Sequence, residues 1–203
     1  MVGERWALLV VRELILGPKR FTDLRAGLPH VGPDVLAQRL RELEAAGLLR
    51  RRTLAPPAGS RVYELTDRGR ALEPVLIELG RWGTFAPVPD GGPRLGVDSM
   101  MIALRTLFDA RIAGDLAATY EVRLGDQVFR ADVEDEELQL SRGEAPDADA
   151  TITSDPMNLA AVLWEGYPAA AAERAGALAL DGDRRAAARF LALFPLPVPD
   201  SAG

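Results

Sequence analysis

Three clusters of guanidinium, ammonium and amide side chains stand within the first sixty-five residues. They are Lys19-Arg20, then Gln38, Arg39 and Arg41 in one run beside Asp34 and Val35, then Arg50-Arg51-Arg52 with Arg61. Gln and Arg carry the paired donors and acceptors that match adenine and guanine edges in the major groove, and every one of the cations can hold a phosphate. This is the chemistry of recognition rather than of reaction. The chain has no Cys and a single His, which excludes disulfides, thiolate zinc sites and cysteine nucleophiles. His30 has no catalytic partner near it and reads as a turn residue. The acidic run Asp132-Val133-Glu134-Asp135-Glu136-Glu137 reads as a solvated hairpin turn, because consecutive carboxylates point in different directions and no calcium-loop glycine pattern surrounds them. No enzyme activity, no cofactor and no metal site is expected.

Positioning those clusters needs a particular order of elements. Trp6 to Leu16 is almost continuously apolar and stops at Gly17-Pro18; its length and Leu/Ala content favour a helix. Thr22 to Leu28 is a short second helix, and His30-Val31-Gly32 a tight turn. Pro33 suits the first position of a third helix, where its missing N–H costs nothing. Leu36, Leu40 and Leu43 form that helix's buried stripe and Gly47 its stop. Asp34, Gln38, Arg41 and Ala45 then lie on the outer face, with Val35 and Arg39 on its flank. Arg39 and Arg41 can reach a base or a phosphate; Arg39 can instead pair with Glu42 or Glu44. Leu48–Leu54 and Arg61–Leu65 read as two strands of a hairpin, with Tyr63 and Leu65 facing inward. Arg50–Arg52 contact phosphate or form a solvated strand, and Arg61 sits at the tip. Thr66 caps a further helix with Leu72, Val75, Leu76, Leu79 and Trp82 as its stripe and Pro74 as a kink.

Charge divides the chain. Up to Ala86 there are 14 Lys/Arg against 10 Asp/Glu, a balance of +4; from Pro87 onward there are 10 against 20, a balance of −10. The front half suits a polyanion, and the rear half would repel one. No run approaches the ~20 apolar residues of a membrane span, and the first residues lack the build of a signal peptide. A cytoplasmic location with no membrane partner is expected.

Five phrases in the front half closely resemble the HxlR family of winged-helix repressors, relatives of the MarR group. They are Gly3-Glu4-Arg5-Trp6, Gly17-Pro18-Lys19-Arg20-Phe21-Thr22-Asp23-Leu24, Val35-Leu36-Ala37-Gln38-Arg39-Leu40-Arg41-Glu42-Leu43, Tyr63-Glu64-Leu65-Thr66-Asp67-Arg68-Gly69 and Leu79-Gly80-Arg81-Trp82-Gly83. The resemblance implies a homodimeric, sequence-specific regulator bound to double-stranded DNA, with Thr66–Trp82 contributing to the dimer contact. Family members usually carry a further helix, often with a cysteine, ahead of the first of these phrases, and often a Ser where Gly32 stands.

Pro87 to Pro93 reads as a linker, with three prolines and two glycines. Beyond it, Asp98–Gly114 has helical spacing, and Ala117–Leu124, Gln127–Val133, Glu137–Arg142 and Ala150–Thr153 read as strands of a half-exposed antiparallel sheet. Helices follow at Asp155–Trp164, Tyr167–Arg174 and Asp183–Phe194. The phrases Pro146-Asp147-Ala148-Asp149-Ala150-Thr151-Ile152, Asp155-Pro156-Met157-Asn158-Leu159, Gly176 through Asp183 and Phe190-Leu191-Ala192-Leu193-Phe194 resemble the sterol-carrier-protein fold. That resemblance implies an α/β sandwich around an apolar tunnel for a lipid or similar small molecule. Met101, Leu104, Phe108, Leu163, Trp164, Tyr167, Phe190 and Phe194 are the candidate lining, with ordinary core as the alternative role.

The expected architecture is therefore α+β. Residues 1–86 form a winged helix-turn-helix DNA-binding domain, 87–97 a linker and 98–203 a sterol-carrier-like domain. The expected function is transcriptional regulation by an apolar effector or, alternatively, ligand-independent repression with the rear domain as an oligomerisation or docking module.

Overall fold

The computed structural model describes residues 2–55, 59–86 and 95–197, in two compact units that divide between Leu79 and Gly80. The expected linker residues 87–94 lie outside the described residues.

In the front unit, α1 (Ala7–Ile15), α2 (Phe21–Gly27) and α3 (Pro33–Ala45) precede a hairpin of β1 (Leu49–Thr53) and β2 (Arg61–Leu65). The apolar run of α1 forms a helix because its Ala7, Val10, Val11 and Leu14 face a common core with Leu24, Leu36, Leu40 and Leu43. Pro33 starts α3, and Gly47 beyond its end takes φ +70°, a left-handed value that lets the chain turn straight into β1. The hairpin is antiparallel, with Arg50 opposite Glu64 and Arg51 opposite Tyr63. Tyr63 and Leu65 face the core as the alternation puts them, Leu65 buried in it and half-buried Tyr63 packed against it; Val62 and Glu64, on the other face, are buried as well. A third segment lies on the free edge of β2, where Lys19 and Tyr63 exchange backbone hydrogen bonds of 3.0 and 2.8 Å. The strand is thereby central, paired on both edges.

The helix expected over Thr66–Trp82 is two helices, α4 (Asp67–Arg70) and α5 (Glu73–Gly83). Pro74 sits in the first turn of α5, where a proline starts a helix instead of kinking one. Gly69 of α4 approaches the Leu48 carbonyl so closely that a Cβ there would stand 2.0 Å from its oxygen. Of the expected α5 stripe only Leu76 is buried; Leu72 is half-buried, and Val75, Leu79 and Trp82 are exposed.

The rear unit holds α6 (Val97–Leu107) and α7 (Ala110–Ala113), then β3 (Ala118–Leu124), β4 (Gln127–Glu134), β5 (Glu137–Arg142) and β6 (Ala150–Ser154). It closes with α8 (Pro156–Trp164), α9 (Ala169–Arg174), β7 (Leu178–Gly182) and α10 (Arg184–Ala192). The sheet order is β5-β4-β3-β6-β7. It is mixed rather than antiparallel throughout: β6 runs parallel to β3, with Val122 beside Ile152. Parallel pairing follows because residues 143–149 carry the chain across the sheet instead of reversing it in a hairpin. Glu121 holds that crossing segment by accepting the Ala145 N–H at 2.7 Å, and Arg130 holds it through Asp147 at 2.5 Å. The opposite face, with Tyr120, Val122, Phe129, Ala131 and Ile152, is buried against the helices. Of the acidic run, only Asp135 and Glu136 form the β4–β5 turn, at φ +51° and +63°, while residues 132–134 close β4 and Glu137 opens β5.

Candidate nucleic-acid interface

Helix α3 presents Asp34, Val35, Gln38 and Arg41 to solvent. Gln38 is held at both ends of its amide: it donates to Glu42 at 2.6 Å and accepts from Arg41 at 2.7 Å. The pair Gln38/Arg41 is thus a fixed, outward-facing set of two donors and acceptors, the kind that matches base edges. Asp34 stands in the first turn, where the helix dipole favours a carboxylate.

Arg39 takes the second of its two expected roles, pairing with Glu42 instead of facing a base or phosphate. Its side chain is only 16% exposed, bonded to Glu42 within the helix and 3.7 Å from Glu4. It therefore braces α3 against the segment before α1. Lys19 is a second correction. It lies buried with its Nζ 2.7 Å from Glu13, whose other oxygen accepts from Arg12 at 3.0 Å. The backbone of Lys19 is the edge strand of the hairpin, which turns its side chain toward α1 and away from solvent. Gly27 leaves the room: a Cβ there would stand 2.2 Å from the Glu13 carboxylate. Its neighbour Arg20 is exposed and bonded to Asp23 at 2.9 and 3.0 Å, a contact that holds the Asp23 carboxyl below its usual range.

All three hairpin arginines of β1 are at the surface, and each has a carboxylate partner. Arg51 lies over the Tyr63 ring and 2.8 Å from Glu44 at the end of α3. Arg50 and Arg52, on the other face, both hold Glu64, at 2.7 and 2.9 Å. Burial pushes the Glu64 carboxyl up, but the two guanidinium groups outweigh it and hold it below its ordinary value. Arg61 is exposed at the start of β2 and makes no ion pair among the described residues. The structure thus brings Gln38, Arg41, Arg50, Arg51, Arg52 and Arg61 to the surface of one unit. Of the partners, Glu42 was the alternative expected for Arg39 and Glu44, also offered for Arg39, pairs with Arg51 instead; Glu64 was not expected, and its one signal was its place opposite the Arg run in a two-strand hairpin.

In the rear unit the expected lining separates into three groups. Met101, Leu104, Phe190 and Phe194 are fully buried, and Phe108, Leu163 and Trp164 are half-buried. Phe194 contacts the Phe190 ring at 5.0 Å and the Phe108 ring at 6.4 Å, while Trp164 Nε1 donates to the Phe194 carbonyl at 2.9 Å. Tyr167 is exposed, because it lies in the connection ahead of Pro168 and not on the helix expected there. Tyr120 is the residue that sequence reasoning missed: its ring is 4.8 Å from Phe190, and its hydroxyl is buried with no hydrogen-bond partner among the described residues. A separate polar concavity of about 420 Å³ opens beside Thr119, Arg130, Asp132 and Asp149.

Three helices, a tight turn before the third, and a basic antiparallel hairpin define a helix-turn-helix protein of the winged type. The profile of the family described as HxlR-like helix-turn-helix matches residues 1–87. The HTH-type transcriptional regulator YvaP of Bacillus subtilis is 38% identical over 84 residues, 41% of this chain and 78% of YvaP. YodB of the same organism, also an HTH-type transcriptional regulator, is 35% identical over 82 residues, 40% of this chain and 73% of YodB. The crystal structure of quinone-bound YodB aligns with a TM-score of 0.36 at 34% identity, over 40% of this chain and 85% of that one. The chain belongs to the HxlR-like helix-turn-helix family. No helix among the described residues is long and apolar enough to cross a membrane.

Proposed function

We propose that this protein is a homodimeric, sequence-specific regulator of transcription that reads duplex DNA with the Gln38/Arg41 face of α3 and grips the backbone with its hairpin. The rear unit is read as a sterol-carrier-like module that admits an apolar small molecule and changes the spacing of the two reading helices. The observation that carries the DNA reading is the fixed Gln38–Arg41 pair, exposed on the third helix and followed directly by Arg50–Arg52 and Arg61. In a dimer, two such helices enter successive major grooves about 34–36 Å apart. Arg20, Asp34 and Val35 extend the surface on the same unit.

Selection of bound sequences from a random duplex pool tests this reading. Wild type is expected to enrich a two-fold-symmetric site. Arg41→Ala is expected to lose about 1–3 kcal/mol of discrimination at one base position. Arg51→Ala is expected to weaken all duplexes alike and flatten the salt slope by about one. Equal loss of discrimination in both variants would overturn the assignment of α3 as the reader.

A second reading is favoured by the close packing of Tyr120, Phe190 and Phe194. With Met101 and Leu104 also fully buried, the rear unit is a closed core and serves oligomerisation or docking, and the regulator works without an effector.

A further inference from the structure

Glu64 is a carboxylate placed where an apolar or neutral strand residue would fill the same space. Its side chain is 9% exposed, on the same strand face as the buried Val62, while Leu65 turns the opposite way into the core. Each of its oxygens is taken by one guanidinium: Oε1 by Arg50 Nε at 2.7 Å, and Oε2 by Arg52 Nε at 2.9 Å. Those arginines are 64% and 48% exposed, so they lie over the carboxylate like a lid with their outer nitrogens in water. Two guanidinium groups converging on two oxygens of one anion is also how a hairpin holds a DNA phosphate.

Resting on the reading of the hairpin as a DNA-backbone clamp, we propose that Glu64 is an intramolecular competitor for phosphate. It occupies Arg50 and Arg52 in the free protein and sets how strongly the hairpin grips any duplex. Coulomb attraction between a phosphate and the two arginines is opposed by a negative charge within the same contact, so the local charge offered to DNA falls from +2 to +1. The pair is a poor source of stability, because taking a carboxylate out of water offsets most of what its partners return. Its effect is to keep the basic hairpin from holding arbitrary sequences. Arg61, which has no ion pair among the described residues, remains available for first contact.

Glu64→Gln tests this directly, since the amide keeps the shape and a hydrogen-bond acceptor while removing the charge. The probe is a random-sequence duplex of about 20 base pairs, titrated across salt concentrations. Relative to wild type, Glu64→Gln is expected to bind about ten-fold more tightly near 100 mM salt, with a slope steeper by about one to two. The gain is expected to vanish when Arg50→Gln and Arg52→Gln are added. Glu78→Gln on α5, the same charge change elsewhere, is expected to gain far less. In the wild type itself, the Arg50 and Arg52 Nε resonances are expected to shift on adding duplex, a readout that needs no variant to fold. Unchanged affinity and slope in Glu64→Gln, beside a wild type that binds salt-dependently, would overturn the proposal and leave the DNA reading intact. An equal gain from Glu78→Gln would also overturn it. Failure of both proteins to bind at low salt would overturn the proposal together with the DNA reading.

Discussion

Glu121 points from β3 to the sheet face that lacks helices, yet it is only 4% exposed. The segment crossing that face buries it, and in return the carboxylate accepts the Ala145 N–H at 2.7 Å and pairs with Arg123 at 2.6 Å. The Ala145 hydrogen bond is the main cause that holds the carboxyl below its ordinary value of 4.5; burial opposes it and Arg123 assists. A carboxyl depressed by folding contributes stability that is full above its unfolded value and is lost as pH falls through the folded one. Glu121→Gln is therefore expected to lower rear-unit stability by about 1–2 kcal/mol at pH 7, with the gap closing in acid below pH ~4.5. Urea unfolding between pH 3 and 7 checks it, and a gap independent of pH would show that the charge is not what holds the crossing. Individual residues were the least legible part of this sequence. Gln38 and Arg41 were readable because a helical period puts them opposite a leucine stripe. Lys19 was not, since its partner Glu13 reaches it only once α1 has packed against the hairpin edge, and for Arg39 the helical Glu42 pairing was legible while the approach of Glu4 was not.

Elements were more legible, because their signals are local. Pro33 and Gly47 bracket α3, and the four expected strands of the rear sheet lie within a residue of where the alternation puts them. What local signals do not carry is which strand neighbours which. The parallel β3–β6 pair depends on a crossing segment whose anchors, Glu121 and Arg130, lie on strands distant in sequence. Helix α5 makes the same point from outside. Its stripe of Val75, Leu79 and Trp82 has ideal helical spacing, but 53%, 46% and 73% of these residues is exposed. An apolar stripe at this spacing can face an intramolecular core or a second helix, and periodicity alone does not distinguish them. In the proposed dimer, a second copy of the chain would cover this stripe. Leu79→Glu is then expected to sediment as a monomer at concentrations where wild type is a dimer. Its circular dichroism should be unchanged and its unfolding midpoint should lose its concentration dependence. Identical sedimentation of the two proteins would place the dimer contact elsewhere or remove it.

For the whole molecule, the question is whether a basic reader and an acidic rear unit are joined for control or only for assembly. Tyr120 separates the two, because its hydroxyl is buried without a partner among the described residues while its ring packs on Phe190 at 4.8 Å. A buried hydroxyl left unsatisfied costs about 1–3 kcal/mol, and burial also pushes this phenol up from its ordinary range, so it stays a neutral donor. If the rear unit is a closed core, Tyr120→Phe removes that cost. The variant is then expected to be about 1 kcal/mol more stable, and native mass spectrometry of wild type and variant to show the same bare protein. If the rear unit holds an apolar molecule with one polar end, the hydroxyl is the group that orients that end within an otherwise hydrocarbon lining. Wild type is then expected to carry an extractable adduct that Tyr120→Phe loses, and to lose ligand-linked stability with it. Control by that ligand further requires it to bind the DNA-competent and incompetent states with affinities differing by about 1–3 kcal/mol. Adding the extracted compound back should therefore shift wild-type DNA binding by about 5–150-fold and leave Tyr120→Phe unmoved. A stabilised, adduct-free variant beside an adduct-free wild type would make this a regulator whose rear unit assembles and does not sense.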